Sequence, residues 1–159
     1  MGRLYYREYR ERRQAEFNAL PIFFAFGKEQ FKKAMEERGL TENDTDKVYA
    51  LSGGAGGLYL RKDAQIIRDY FSKPDELPEL MKDLEFAEDA FYEEMCNHEY
   101  GINWQGDWDV CSCFGYVEYE EGENGTGYLR KMGFSGDVVG AYLRAKRRYY
   151  KAAEENEWF

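Results

Sequence analysis

The spacing of apolar and polar residues changes period several times along the chain. Arg3 to Ala19 contains no Pro or Gly, is rich in Arg, Glu, Gln and Ala, and carries Tyr5, Tyr6, Tyr9 and Phe17. It predicts a helix that Pro21 ends. Ile22 to Phe26 is a short apolar run between Pro21 and Gly27, β-branched or aromatic at four of five positions, and predicts a buried strand. Gly27 to Arg38 returns to helical spacing through Phe31, Ala34 and Met35, with Gly39 as its stop.

Val48 to Leu51 and Leu58 to Arg61 read as two strands joined by the glycine loop Ser52 to Gly57, a hairpin. Ala64 to Ser72 predicts a short helix capped by Asp63 and closed before Pro74. From Asp75 onward, Leu77, Leu80, Met81, Leu84, Ala87, Phe91 and Met95 recur at steps of three and four. Acidic residues fall mostly off that stripe, so one long amphipathic helix with an acidic outer face is expected. Residues 101–127 show little period and predict a loop with one short helix or hairpin around Trp108 to Tyr119. Val138 to about Asn156 predicts a basic amphipathic helix entered through Ser135. The expected fold is α+β: one domain over 1–159, a small three-stranded sheet with about five helices, an acidic loop or insertion near 101–136, and a basic C-terminal helix over 138–156.

Charge sharpens this picture. The net charge is −9, yet residues 63–123 alone hold 18 carboxylates against 3 basic side chains, while 124–151 hold 7 basic against 1 acidic. Such a block attracts basic surfaces and repels nucleic acid. No run approaches the roughly 20 apolar residues of a membrane span, and Met1 to Arg7 lacks a secretory h-region. A cytoplasmic protein with free thiols at Cys96, Cys111 and Cys113 is expected.

Chemistry-bearing residues are few. The glycine loop 52–57 returns into a strand where a phosphate-binding loop opens a helix, so a hairpin loop is favoured over a ligand site. Cys96, His98, Cys111 and Cys113 number four soft donors, the count of a structural zinc site. However, helical residues 96 and 98 lie about 200° apart around the axis, so no metal or cofactor is expected. His98, the sole histidine, continues the apolar stripe and reads as a partly buried structural residue; no catalytic residue is assigned. Asp107, Asp109, Glu118, Glu120, Glu121 and Glu123 lack the ligand order of a calcium loop. Arg144, Lys146, Arg147, Arg148 and Lys151 beside Tyr142, Tyr149 and Tyr150 could hold a phosphate backbone; pairing with the chain's own acidic middle, or with a second copy in a homodimer, is favoured.

Three stretches, Phe17 to Phe31, Lys47 to Asp63 and Asn97-His98-Glu99-Tyr100, resemble an uncharacterised family of small bacteriophage and mobile-element proteins, over roughly residues 15–116. Val117 to Val139 looks like an insertion in it. The resemblance implies no activity. It implies an accessory factor acting on host machinery, including inhibitors of restriction or CRISPR nucleases. Joined to the acidic block, it gives the expectation of a non-enzymatic inhibitor that mimics nucleic acid and binds a basic host protein. Its contacts would be Glu85, Glu88, Asp89, Glu93, Glu94, Asp107, Asp109, Glu118, Glu120, Glu121 and Glu123, with Trp104 and Trp108 as anchors. The alternative is a nucleotide or other small-ligand binder or hydrolase using the glycine loop 52–57 and His98.

Overall fold

The computed structural model describes residues 4–53 and 55–159; the predicted helix start at Arg3 and the loop residue Gly54 lie outside the described residues. The elements are α1 (Tyr6–Asn18), β1 (Ile22–Phe24), α2 (Lys28–Glu37), β2 (Val48–Ala50), β3 (Gly57–Leu60), α3 (Ala64–Ser72), the single turn α4 (Leu77–Leu80), α5 (Leu84–Asn97), α6 (Gly106–Ser112), α7 (Gly125–Lys131) and α8 (Gly136–Glu155). This is an α+β fold with a three-stranded antiparallel sheet. The chain divides into two compact units, one of residues 12–74 and one of residues 1–11 with 75–159.

In the unit of residues 12–74 the strand order is β1-β3-β2. Ile22 stands opposite Tyr59 in one pair, and Val48 opposite Leu60 in the other. The hairpin β2–β3 therefore supplies the central strand. Phe23, Ala34 and Met35 form its small core, with Phe31, Leu40, Val48, Leu58 and Leu60 packed against them. Gly39 closes α2 at φ +72, a left-handed turn that glycine makes without a Cβ penalty. Asp63 does not cap α3 with its side chain; Arg61–Asp63 instead form a short 3-10 turn leading into it.

The other unit is helical and holds the larger core. There α5 and α8 pack along each other, with Ala87, Ala90, Ala141 and Ala145 fully buried. These small side chains let the two backbones approach closely, and aromatic pairs fill the remaining space, such as Phe91 against Phe114 and Tyr142. The long helix expected from Asp75 is broken. Asp83 accepts hydrogen bonds from the backbone of Glu85 and Phe86, capping a new helix at Leu84. The expected loop at 101–127 contains α6 and the start of α7, the latter capped by Asn124. Tyr128 pins the segment between them by exchanging hydrogen bonds with the backbone N–H and C=O of Glu120.

Candidate metal centre

A carboxylate four residues before a histidine on a helix shares its face, and α5 uses this spacing at its C-terminal end. Glu94 is 4% exposed, the one charged residue among the described residues that is fully buried. His98 caps the helix one turn on, its side chain 36% exposed. Packing of α6 beside α5 brings Cys113, the residue that ends α6, to the same point. Glu94 Oε2 lies 3.2 Å from His98 Nε2 and 3.2 Å from Cys113 Sγ, and the sulfur lies 3.4 Å from His98 Nε2.

The two oxygens of Glu94 have separate surroundings. Oε1 accepts from Tyr6 Oη at 2.8 Å, Arg10 Nη1 at 2.9 Å and Asn97 Nδ2 at 3.3 Å. Those three donors fix the carboxylate plane and leave Oε2 aimed at imidazole and thiol. Cys113 Sγ has one hydrogen, yet Glu94 Oε2, His98 Nε2 and the carbonyl oxygen of Asp109, 3.3 Å away, all approach it. Burial first, and then the hydrogen bond and charge of Glu94, push the thiol up to about 12. Tyr6 is raised well above the ordinary phenol range, by burial first and then by the Glu94 charge.

This geometry distinguishes three chemistries. A nucleophilic cysteine needs its thiolate stabilised by a cationic neighbour, whereas here burial first, and then the adjacent carboxylate, favour the protonated sulfur. A purely structural hydrogen-bonded trio is satisfied with one proton on sulfur and one on Nε2. A tetrahedral zinc ion, with Zn–N and Zn–O near 2.0–2.1 Å and Zn–S near 2.3 Å, needs its donors about 3.3–3.7 Å apart. The observed triangle lies within a few tenths of an ångström of that. It also has outer-shell support on the carboxylate, as metal-ligating groups generally do.

Of the four soft residues read from the sequence, only two meet. Cys111 is buried in the core and its thiol faces the carbonyl of Gly125 at 3.7 Å. Cys96 is partly buried, its thiol raised by burial and hydrogen-bonded to Tyr92. Sequence reasoning missed Glu94 as a ligand because it is one of many carboxylates on α5; the i, i+4 spacing to His98 was the available signal.

The residues expected to form an acidic contact surface are widely used within the fold. Glu94 is buried, which removes it from any outer face. Glu93 pairs with Arg7 at 3.0 Å, Glu88 with Arg144 at 3.1 Å, and Asp89 with Arg148 at 3.7 Å. Asp107 accepts from Tyr100 at 2.6 Å and from Tyr142. Asp109 accepts from Asn103 at 2.6 Å. Glu120 and Glu123 both pair with Lys131. Trp108 is half-buried and donates to the Val117 carbonyl at 2.9 Å, while Trp104 is 81% exposed. Glu85, Glu118, Glu120 and Glu121 remain on the surface. The glycine loop and His98 belong to different units.

Fold and site together define a small α+β protein with a Glu–His–Cys cluster at the meeting of two helices. The chain belongs to DUF7659, a family of unknown function, whose model matches residues 5–119. That span includes Tyr6, Arg10, Glu94, His98 and Cys113. No curated protein and no solved structure matches the chain. No described helix is long and apolar enough to cross a membrane.

Proposed function

We propose that this protein binds a divalent transition metal of the zinc class through Glu94, His98 and Cys113. The carrying observation is the triangle of three donors, each 3.2–3.4 Å from the next. Carboxylate, imidazole and thiolate are the donor types zinc takes, and three protein ligands leave a fourth position for water. His98, a third exposed, gives that position an approach from solvent. Tyr6 and Arg10 orient Glu94, and Asn97 completes its oxygen. Metal must displace the thiol proton, so binding releases a proton and tightens by up to about tenfold per pH unit below the thiol's range.

The test is titration of chelator-treated protein with Co²⁺ and Zn²⁺. Tetrahedral Co²⁺ absorption with a sulfur-to-cobalt charge-transfer band is expected, displaced by Zn²⁺ and lost in Cys113→Ser. Absence of metal uptake at neutral pH reduces the cluster to a structural hydrogen-bonded trio.

A second reading rests on Trp104 and on Tyr116, 86% exposed, near the exposed Glu118, Glu120 and Glu121. Aromatic anchors beside carboxylates suit a basic protein partner. On this reading the chain is a non-enzymatic accessory protein that acts on a basic host nuclease. Reversing Glu118, Glu120 and Glu121 to Lys together with Trp104→Ala then abolishes capture of such a nuclease; unchanged capture removes this reading.

A further inference from the structure

We propose a second, independent site in the unit of residues 12–74: a pocket for a small organic phosphate of the nucleotide type. Arg38, Leu40, Lys47, Leu60, Arg61 and Lys62 line a cavity of about 420 Å³, within the range of small-molecule sites. In a chain of net charge −9, four of its six lining residues are cationic and none is acidic. The sequence order explains the gathering. Arg38 follows the end of α2, Lys47 immediately precedes β2, and Leu60-Arg61-Lys62 is where β3 ends and the 3-10 turn begins. Because Val48 stands opposite Leu60, Lys47 and Arg61 meet at the open end of the hairpin. The glycine loop is at the other end, so the cations and not the glycines mark the ligand site.

Two of the cations are held in place. The Arg38 guanidinium lies over the Phe23 ring, 3.8 Å from its centroid, and donates Nη1 to the Ala34 carbonyl at 2.8 Å. Arg61 stands over the Tyr49 ring at 5.8 Å. Guanidinium groups anchored on aromatic faces present their remaining donors as a planar fork, the geometry that matches phosphate oxygens. Asp44, 3.6 Å from Lys47, offsets one charge. About three positive charges remain, close to the charge of a nucleoside diphosphate and well above that of a monocarboxylate. Leu40 and Leu60 supply an apolar wall for the nucleoside part.

Isothermal titration of the intact chain with ADP, pyrophosphate and adenosine tests this. ADP is expected to bind, with adenosine weaker by at least tenfold. Arg61→Glu and Lys62→Glu should each weaken ADP at least tenfold, and the milder Arg61→Gln should weaken it in the same direction with an unchanged circular dichroism spectrum. Lys32→Glu with Lys33→Glu, exposed on α2, should leave ADP affinity unchanged. The proposal is overturned by adenosine binding as tightly as ADP, by an equal loss in the α2 variant, by pocket variants that bind normally, or by binding of an oligonucleotide with none of ADP or pyrophosphate.

Discussion

Replacing Glu94 with Leu removes the acceptor of Tyr6, Arg10 and Asn97 together, and a buried donor left without a partner costs about 1–3 kcal/mol. Thermal melts in chelator should show that loss for Glu94→Leu and a smaller one for Glu94→Gln, which keeps an acceptor oxygen. Equal losses would mean the donors find other partners. Cys113 gives a pH dependence of defined sign. Its thiol is pushed up to about 12 from an ordinary value of 9.0, by burial first. Between those values the folded thiol holds a proton that the unfolded one has released. Its contribution, fully present below pH 9, is therefore lost as pH rises toward 12. Tyr6, Tyr100 and Tyr142, raised chiefly by burial, act in the same sense above their ordinary 10.0. Denaturation followed from pH 8 to 12 should show Cys113→Ser losing less stability than the parent; parallel curves would assign the alkaline loss to the phenols and to the other thiols raised by burial, Cys96 and Cys111.

At the level of elements, α5 against α8 depends on small side chains. Ala145 is fully buried, and Ala145→Leu should cost about 1–3 kcal/mol by overpacking, measured by urea denaturation. Gly125 makes a sharper case: a Cβ there would meet the Tyr142 ring at 2.3 Å, so Gly125→Ala has to move a fully buried aromatic, and an unchanged melting temperature would show that Tyr142 yields easily. Elements bounded by Pro or Gly and carrying a strong period were legible in sequence: α2, the β2–β3 hairpin, α3 and α8 fall close to their expected ranges, while β1, expected as a buried strand to Phe26, stops at Phe24 and buries only Phe23, with Phe24 and Phe26 exposed. The break at Asp83 was not legible, because Leu77, Leu80, Met81 and Leu84 keep one apolar stripe across it, and a capping Asp reads like any other surface carboxylate. Helices α6 and α7 have seven residues each, too few for a period to stand out, and depend on contacts such as Tyr128 with Glu120. Of the Glu–His–Cys cluster, the Glu94–His98 half was written in the helical spacing. Cys113 joins it only through packing of α6 beside α5, which spacing along the chain does not encode.

Across the whole molecule, the acidic middle and the basic C-terminal helix read from the sequence meet at two ion pairs, Arg144 with Glu88 and Arg148 with Asp89. The family match ends at residue 119, yet Val138, Val139, Tyr142, Ala145 and Tyr149 beyond it belong to the main hydrophobic core. A chain cut after Tyr119 should therefore lose its near-ultraviolet circular dichroism; a retained spectrum would show that the matched span packs its core without α8.

That division has a consequence for biosynthesis. Residues 12–74 emerge from the ribosome as one continuous stretch, and their unit is complete in covalent terms early. The other unit is discontinuous in sequence and needs its final helix. From Asn97 at the end of α5 to Glu155 at the end of α8 the chain grows by 58 residues, roughly 3–12 s of translation. For that interval Phe91 awaits the Tyr142 ring of α8 that packs against it, exposed to chaperones. The order of synthesis thus makes the helical unit the slower and more aggregation-prone of the two, and its yield should respond to translation rate where that of the sheet does not.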